Sequence, residues 1–341
     1  MGNFGTIDLL DATFGKPSET DITDMAFIQM VEAAAGISLT RNDVGTVSLT
    51  KENLAEMARV TELNIAEKGL TDLSALKYFT GLQTLNCSRN SLTELDVSAL
   101  TNLTSLDCSF NSLTELDVSA LTKLESLSCY LNKLTALDVS GQTNLTSLDC
   151  SDNQLTALDV SNLTLLTDLD CSENRLTALD VSKLTGLTKL DCAYNQLTAL
   201  DVSNQTLLKD LDCAHNQLTA LDVSKLTGLT DLDCADNQLK ALNVSNLTGL
   251  TDLDCSENQL TALDLNGLTA LEDLDCSENR MSSLDISEFP NLYSVKCGKQ
   301  TADGVTSRTL TLTLTAAQKA GGVFNASSKY NVDVNLNVVG Q

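Results

Sequence analysis

Eleven cysteines, a single histidine and a long run of aspartates are the residues of this 341-residue chain with the means to do chemistry. The cysteines stand at Cys87, Cys108, Cys129, Cys150, Cys171, Cys192, Cys213, Cys234, Cys255, Cys276 and Cys297, every interval being 21 residues. A disulfide or metal framework uses an even count or closely spaced pairs, whereas this count is odd and no C-x-x-C occurs. Each thiol instead fills one recurring apolar slot, where reduced cysteine behaves as a small hydrophobe. The series therefore reads as a buried ladder of free thiols, which reports packing and says nothing of the redox compartment.

Catalytic and metal-binding arrangements fare no better. His215 is the only histidine, so multi-histidine metal sites are excluded and one residue remains for any Ser/His or Cys/His pair. Cys213, two residues before it, is expected to point inward while His215 lies exposed on the rim. Most of the 17 glycines occur singly, without a phosphate-binding loop. Residues 40–51 have the length of a calcium-binding EF-hand loop around Gly45. However, Thr40, Val44 and Lys51 stand where that loop places its first, fifth and twelfth ligands. No catalytic residue, cofactor or metal site is expected.

The slots that hold these residues recur along most of the chain. Three residues after each of the first ten cysteines sits an asparagine, from Asn90 through Asn111 and Asn132 to Asn279, and the eleventh position is Gln300. From Leu82 the unit reads L-x-x-L-x-C-x-x-N-x-L, then x-x-L-D-V-S-x-L-T-x. Alternate side chains of a strand share a face, so Leu106 and Cys108 should point inward and Asp107 outward. Stacking brings such strands into a parallel sheet with neighbours about 4.8 Å apart. An inward asparagine can bond backbone groups left unpaired where the chain bends after the strand. The second half of the unit, as in Leu92-Thr-Glu-Leu95-Asp-Val97-Ser, repeats the apolar rhythm. It predicts a second extended segment on the opposite side, with no room for a full helix.

The unit resembles the leucine-rich-repeat consensus L-x-x-L-x-L-x-x-N-x-L, with cysteine in the third apolar slot, over about residues 60–300. The expected fold is a β-rich leucine-rich-repeat solenoid of about twelve stacked turns with a parallel sheet. A 21-residue turn is similar to a short-repeat class common in bacterial surface proteins. A 22-residue unit from Val60 keeps Leu63, Ile65, Leu70 and Leu73 in register but places Lys68 in the asparagine slot. Its run Leu70-Thr-Asp-Leu73-Ser-Ala-Leu76 resembles the repeats of bacterial internalins.

A solenoid must cover its ends. Met25, Ile28 and Val31 have helical spacing, as do Leu54, Met57 and Val60 after a Thr50 N-cap. Leu310-Thr-Leu312-Thr-Leu314 and Val332-Asp-Val334-Asn-Leu336-Asn-Val338 alternate with a strand period. Residues 1–59 are thus expected to form a partly helical N-terminal cap, 60–300 the solenoid and 301–341 a β-rich C-terminal cap.

Composition narrows the partners. Aromatics are 4% and tryptophan is absent, which suits a core filled by stacked leucine. Hydrophobic residues at 42% are too many for a disordered acidic tail. A net charge of −25 repels phosphate backbones, so nucleic acid is not an expected partner. No apolar run approaches the roughly 20 residues of a membrane-crossing helix, and no membrane insertion is expected. Met1 to Leu10 lacks the basic start and apolar stretch of a signal peptide.

The outward strand positions are where the repeat leaves side chains free to vary. At the third, fifth and eighth positions the first four cysteine turns carry three acids and the next six carry fifteen. The pairs Asp168/Asp170, Asp210/Asp212, Asp231/Asp233, Asp252/Asp254 and Asp273/Asp275 make up an acidic face. The N-terminal turns instead show Arg89, Phe110, Tyr130 and Leu131, for which the repeat offers no packing reason, and Tyr194 and His215 interrupt the acids. These six residues are the expected partner-binding set. The acids serve either to keep regular solenoids from stacking edge to edge or to dock a basic partner. Carboxylates about 4.8 Å apart can share Ca²⁺, but a one-sided ladder rarely supplies six ligands, so any divalent-cation binding should be weak. The internalin resemblance implies a secreted or cell-surface module that binds a protein or glycan. A rigid spacer or surface-layer element without a partner competes with it, and the irregular cluster around Phe110 weighs against that reading.

Overall fold

The computed structural model describes residues 22, 25–302, 305–325 and 333–339. Twelve three-residue strands, from Glu62–Asn64 to Ser294–Lys296, form one parallel sheet whose order follows the chain except that Ser283–Asp285 lies in another sheet. Register is strict: Leu85 faces Leu106, which faces Leu127, and so on to Leu274 facing Val295. A short strand suffices because each turn gives its sheet only the L-x-C segment before the chain bends. The central leucine is buried in every strand, as in Ser105–Asp107 and Asp210–Asp212.

The core consists of ladders, one residue type repeated along the axis. Within one turn Leu103, Leu106, Cys108, Leu113, Leu116, Val118 and Leu121 are all buried. Identical side chains stacked at strand spacing fill the interior evenly, which dispenses with bulky aromatic volume. The thiols are free and buried, and Cys171 Sγ donates to the Asp191 carbonyl of the next turn at 3.5 Å. The asparagine ladder works as the sequence suggests. Asn195 Nδ2 donates to the carbonyls of Cys171, Cys192 and Ala193 at 3.0–3.2 Å, and its Oδ1 accepts from Leu176 N at 2.9 Å. Each asparagine thereby satisfies backbone groups of its own turn and of the turn before it. Gln300 does the same job with a longer reach, taking the carbonyls of Cys276 and Cys297 at 3.0 Å.

The far side of the turn forms no α-helix, as the repeat length implies. The segments around Leu95 and Val97 run without strand pairing, and Ser283–Asp285 is the exception, where a cap strand supplies a partner. Their backbone is held by local bonds instead: Asp117 Oδ1 accepts from Ser119 N at 2.9 Å, and the pattern recurs at Asp138 and Asp159. Two turns replace a core leucine by glutamine. Gln142 and Gln205 are fully buried and donate to the carbonyls of Val118 and Val181, while Gln205 Oε1 has no partner.

Two helices, α1 (Met25–Ala35) and α2 (Lys51–Ala58), cover the first turn. Thr50 caps α2 through its hydroxyl, and Phe27 packs edge-on against Phe79 with ring centroids 6.4 Å apart. Between the helices, Asn42 Oδ1 accepts from Val44 N and Thr46 N, so its oxygen is used inside the loop that resembled a calcium site. At the other end Leu310–Thr315 pairs in parallel with Ser283–Asp285 and with Val334–Val339. Helix α3 (Ala316–Gly321) follows, with Gln318 Nε2 donating to the carbonyls of Ile286 and Phe289. The residues before Ile22 and Val332 lie outside the described residues.

Candidate partner-binding face

Three ranks of side chains run along the outward face of the long sheet, from the third, fifth and eighth positions of each turn. The third rank passes through Ser147, Asp168, Lys189, Asp210, Asp231, Asp252 and Asp273 in register, with Lys189 and Asp252 exposed and the others half-buried. Lys189 stands between Asp168 and Asp210, so the stripe is broken at its middle.

The fifth rank behaves differently, and it corrects the picture of a uniformly acidic docking face. Asp170, Asp212, Asp233 and Asp254 are half-buried, and Asp275 is buried. Each carboxylate accepts from its own turn: Asp170 Oδ1 takes Ser172 N at 3.0 Å and Ser172 Oγ at 2.6 Å, and Asp233 Oδ1 takes Ala235 N at 3.0 Å. Asp275 also meets Lys296 Nζ at 3.1 Å. These aspartates close the bend after the strand, and at Asn86 an uncharged residue does so for Ser88 at 3.0 Å. Loss of water and the adjacent aspartates push Asp191 and Asp233 up to about 7. Burial raises Asp149, Asp212 and Asp254 as well. Fifth-position acids are therefore structural first, closing their own turns.

The eighth rank holds five of the six residues that the sequence singled out, Tyr130 standing one place before it. Every member occupies the left-handed region, with φ of +54° at Arg89, +51° at Phe110, +52° at Leu131, +52° at Tyr194 and +51° at His215. That conformation normally costs a non-glycine residue about 1–2 kcal/mol. It is tolerated here because the following asparagine fixes the bend. No sequence signal announced it, since none of these slots carries glycine.

Two clusters emerge along this rank. In the first, the Arg89 guanidinium lies 3.9 Å above the Phe110 ring and 3.5 Å from Glu67, and Phe110 meets Tyr130 edge-on at 4.8 Å. Phe110, Tyr130 and Leu131 are consequently half-buried, and stacking between turns gives them the packing role that the repeat pattern alone did not. A cavity of about 540 Å³ lined by Ala34, Asn64, Ala66, Glu67 and Lys68 adjoins the cluster. In the second, Tyr194 stacks on His215 at 3.9 Å, and His215 Nδ1 lies 2.7 Å from Asp236. Tyr194 is 53% exposed. Cys213 beside it is buried, and burial pushes its thiol well up, so no Cys/His pair forms. The sequence reading overlooked Leu165 and Leu207, each more than half exposed two turns apart, in a slot where Gly186 and Gly228 stand. It also overlooked exposed Tyr293 beside Asp273. Among the described residues no helix is long and apolar enough to cross a membrane.

Comparison with known proteins places these features in context. Models described as leucine-rich repeats match residues 81–103, 101–141 and 144–166. No curated protein sequence matches the chain. Among solved structures, the functional domain of InlJ from Listeria monocytogenes, which includes a cysteine ladder, is 35% identical with a TM-score of 0.66, covering 84% of this chain and 73% of its own. The internalin InlF from Listeria monocytogenes is 24% identical, with a TM-score of 0.71 and coverage of 93% and 90%. The leucine-rich-repeat protein LIC12759 of Leptospira interrogans is 28% identical, with a TM-score of 0.68 and coverage of 78% and 71%.

Proposed function

The chain belongs to the bacterial internalin-like leucine-rich-repeat proteins, and from that premise we propose that it is a secreted or cell-surface binding module whose outward sheet face holds a protein partner. The observation that carries this reading is the stack of Glu67, Arg89, Phe110 and Tyr130 on an otherwise small-polar surface. Aromatic and arginine side chains held rigidly in place anchor interfaces, because little conformational entropy is lost on binding. Leu131 adds apolar area beside them. The third-rank acids then attract a basic partner over distance and set the salt dependence of encounter. A glycan laid across Phe110 and Tyr130 is a variant of the same mode.

No catalytic role is proposed, since the buried thiols and the ion-paired His215 supply no activated nucleophile. A spacer without a partner has a use for the clusters as packing between turns but none for the ring surface that Tyr194 leaves exposed. The test is photo-crosslinking from a photoreactive phenylalanine placed at Leu131, compared with the same residue at Thr177 on the exposed flank, against a mixture of candidate surface proteins. Site-specific adducts from position 131 alone support the assignment. Equal labelling from both positions, or none, contradicts it.

A further inference from the structure

The eighth rank carries six acids, and three of them meet a partner from a neighbouring turn: Glu67 meets Arg89, Asp236 meets His215, and Glu278 meets Lys299. Among the described residues Asp152, Glu173 and Glu257 have no ion-pair partner, and the first two occupy successive turns. Immediately beyond them stands Tyr194, ring exposed, with one face stacked on His215 of the next turn. Stacking runs along the solenoid axis, so the other face of Tyr194 looks back toward the turn of Glu173.

The same rank shows what such a position accepts. At its N-terminal end the order is acid, arginine, ring: Glu67, then Arg89, then Phe110, with the guanidinium flat over the ring at 3.9 Å. At Asp152, Glu173 and Tyr194 the order is acid, acid, ring, a second carboxylate standing on the turn where the first series has its arginine. The second aromatic, Tyr194, is also more rigidly placed than a free tyrosine. Its backbone sits in the left-handed region, and its stacking partner His215 is held by Asp236 at 2.7 Å.

We propose that these two acids and the ring together receive an arginine side chain of the protein partner, its guanidinium lying on the exposed face of Tyr194 and pairing with Glu173 and Asp152. The inference rests on the outward-face reading above and adds to it the chemistry of one contact. Arginine is specified over lysine because a planar guanidinium can stack on a ring and bond a carboxylate through its edge at once, as Arg89 does within the chain. The charge of the whole chain, −25, favours a cationic occupant as well.

The probe is a blocked hexapeptide alternating glycine with arginine, compared by calorimetry at low salt with its lysine and citrulline counterparts. The arginine peptide is expected to bind tighter than the lysine peptide by about threefold or more, the scale of an exposed cation–π contact. Tyr194→Ala and Glu173→Gln should each remove that preference, Tyr194→Phe should keep it, and Thr177→Ala on the exposed flank should leave it unchanged. Glu173 is exposed, so its variant reports on the slot without disturbing the fold. Equal binding of arginine and lysine peptides, or a preference that survives Tyr194→Ala, overturns the proposal. If that happens while the crosslink from position 131 persists, the slot alone falls; loss of the crosslink removes the reading beneath it.

Discussion

At the scale of single residues, function and stability are assigned to neighbouring positions by what each side chain does to its own turn. The thiols are the simplest case. Burial pushes Cys87 and Cys297, at the two ends of the ladder, up to about 12, and the interior thiols higher still. A thiol reagent at pH 8 should therefore modify none of the eleven in the native protein and all of them after denaturation, which mass spectrometry can count. Asn195 should be as important as its four hydrogen bonds imply. Asn195→Ala leaves buried backbone groups unpaired at about 1–3 kcal/mol per group, and a lowered denaturation midpoint is expected. Asp191 and Asp233 of the fifth rank make stability depend on pH. Their native pKa is raised, so between the ordinary carboxylate range and about 7 the folded chain binds more protons than the unfolded one. Stability should thus increase as pH is lowered from 8 toward 5. Below the ordinary range the trend reverses, because Asp117, Asp138 and Asp159 are held low by bonds from their serines, and that contribution is lost on protonation. Asp191→Asn with Asp233→Asn should flatten the rise between pH 8 and 5 while keeping the turn, as Asn86 does already. An unchanged slope in circular-dichroism melts would show that these carboxylates titrate normally.

At the scale of the element, the sequence spelled out the turn more fully than its surroundings. Strands, inward leucines, thiols and asparagines were legible because each is fixed by an interval of 21 residues, and an interval survives without coordinates. Helical spacing in the cap was legible for a similar reason, and Thr50 does cap α2. The far side of the turn read as a second extended segment because its leucine and valine alternate, and alternation reports only which side chains point inward. Whether backbone pairs depends on the neighbour, and there the neighbouring segments bond locally. The acidic face was only half legible. Asp170 and Asp168 look alike in sequence, but two residues after Asp170 stands Ser172, whose amide and hydroxyl its carboxylate accepts. The left-handed backbone that aims Phe110 and Tyr194 was invisible, since the constraint comes from the asparagine bonds and not from glycine. Gln205 shows an element at odds with its own repeat. Its Nε2 donates to the Val181 carbonyl, which Leu184 N already reaches at 2.8 Å, and its buried Oε1 has no partner. Gln205→Leu restores the ladder and should raise stability by about 1–3 kcal/mol. A lower midpoint would mean that the glutamine is better satisfied than its geometry shows.

At the scale of the molecule, a solenoid this regular separates its tasks into ranks. The interior ladders set stability, the fifth rank closes bends, and the third and eighth ranks are left to meet other molecules. Encounter and retention should therefore respond to different residues. Asp231 and Asp252 lie in the third rank, where reversal of charge does not break a turn, whereas reversal at Asp233 would. The direct test is the kinetics of binding to the partner identified by crosslinking, measured for Phe110→Ala with Leu131→Ala and for Asp231→Lys with Asp252→Lys. The first pair should accelerate dissociation several-fold, roughly the loss expected of anchor residues, and leave association nearly unchanged. The second pair should slow association, with an effect that fades as salt is raised. If the anchor pair leaves both rates unaltered while the charge pair abolishes binding at every salt concentration, the acids are the site and the aromatic rank is not.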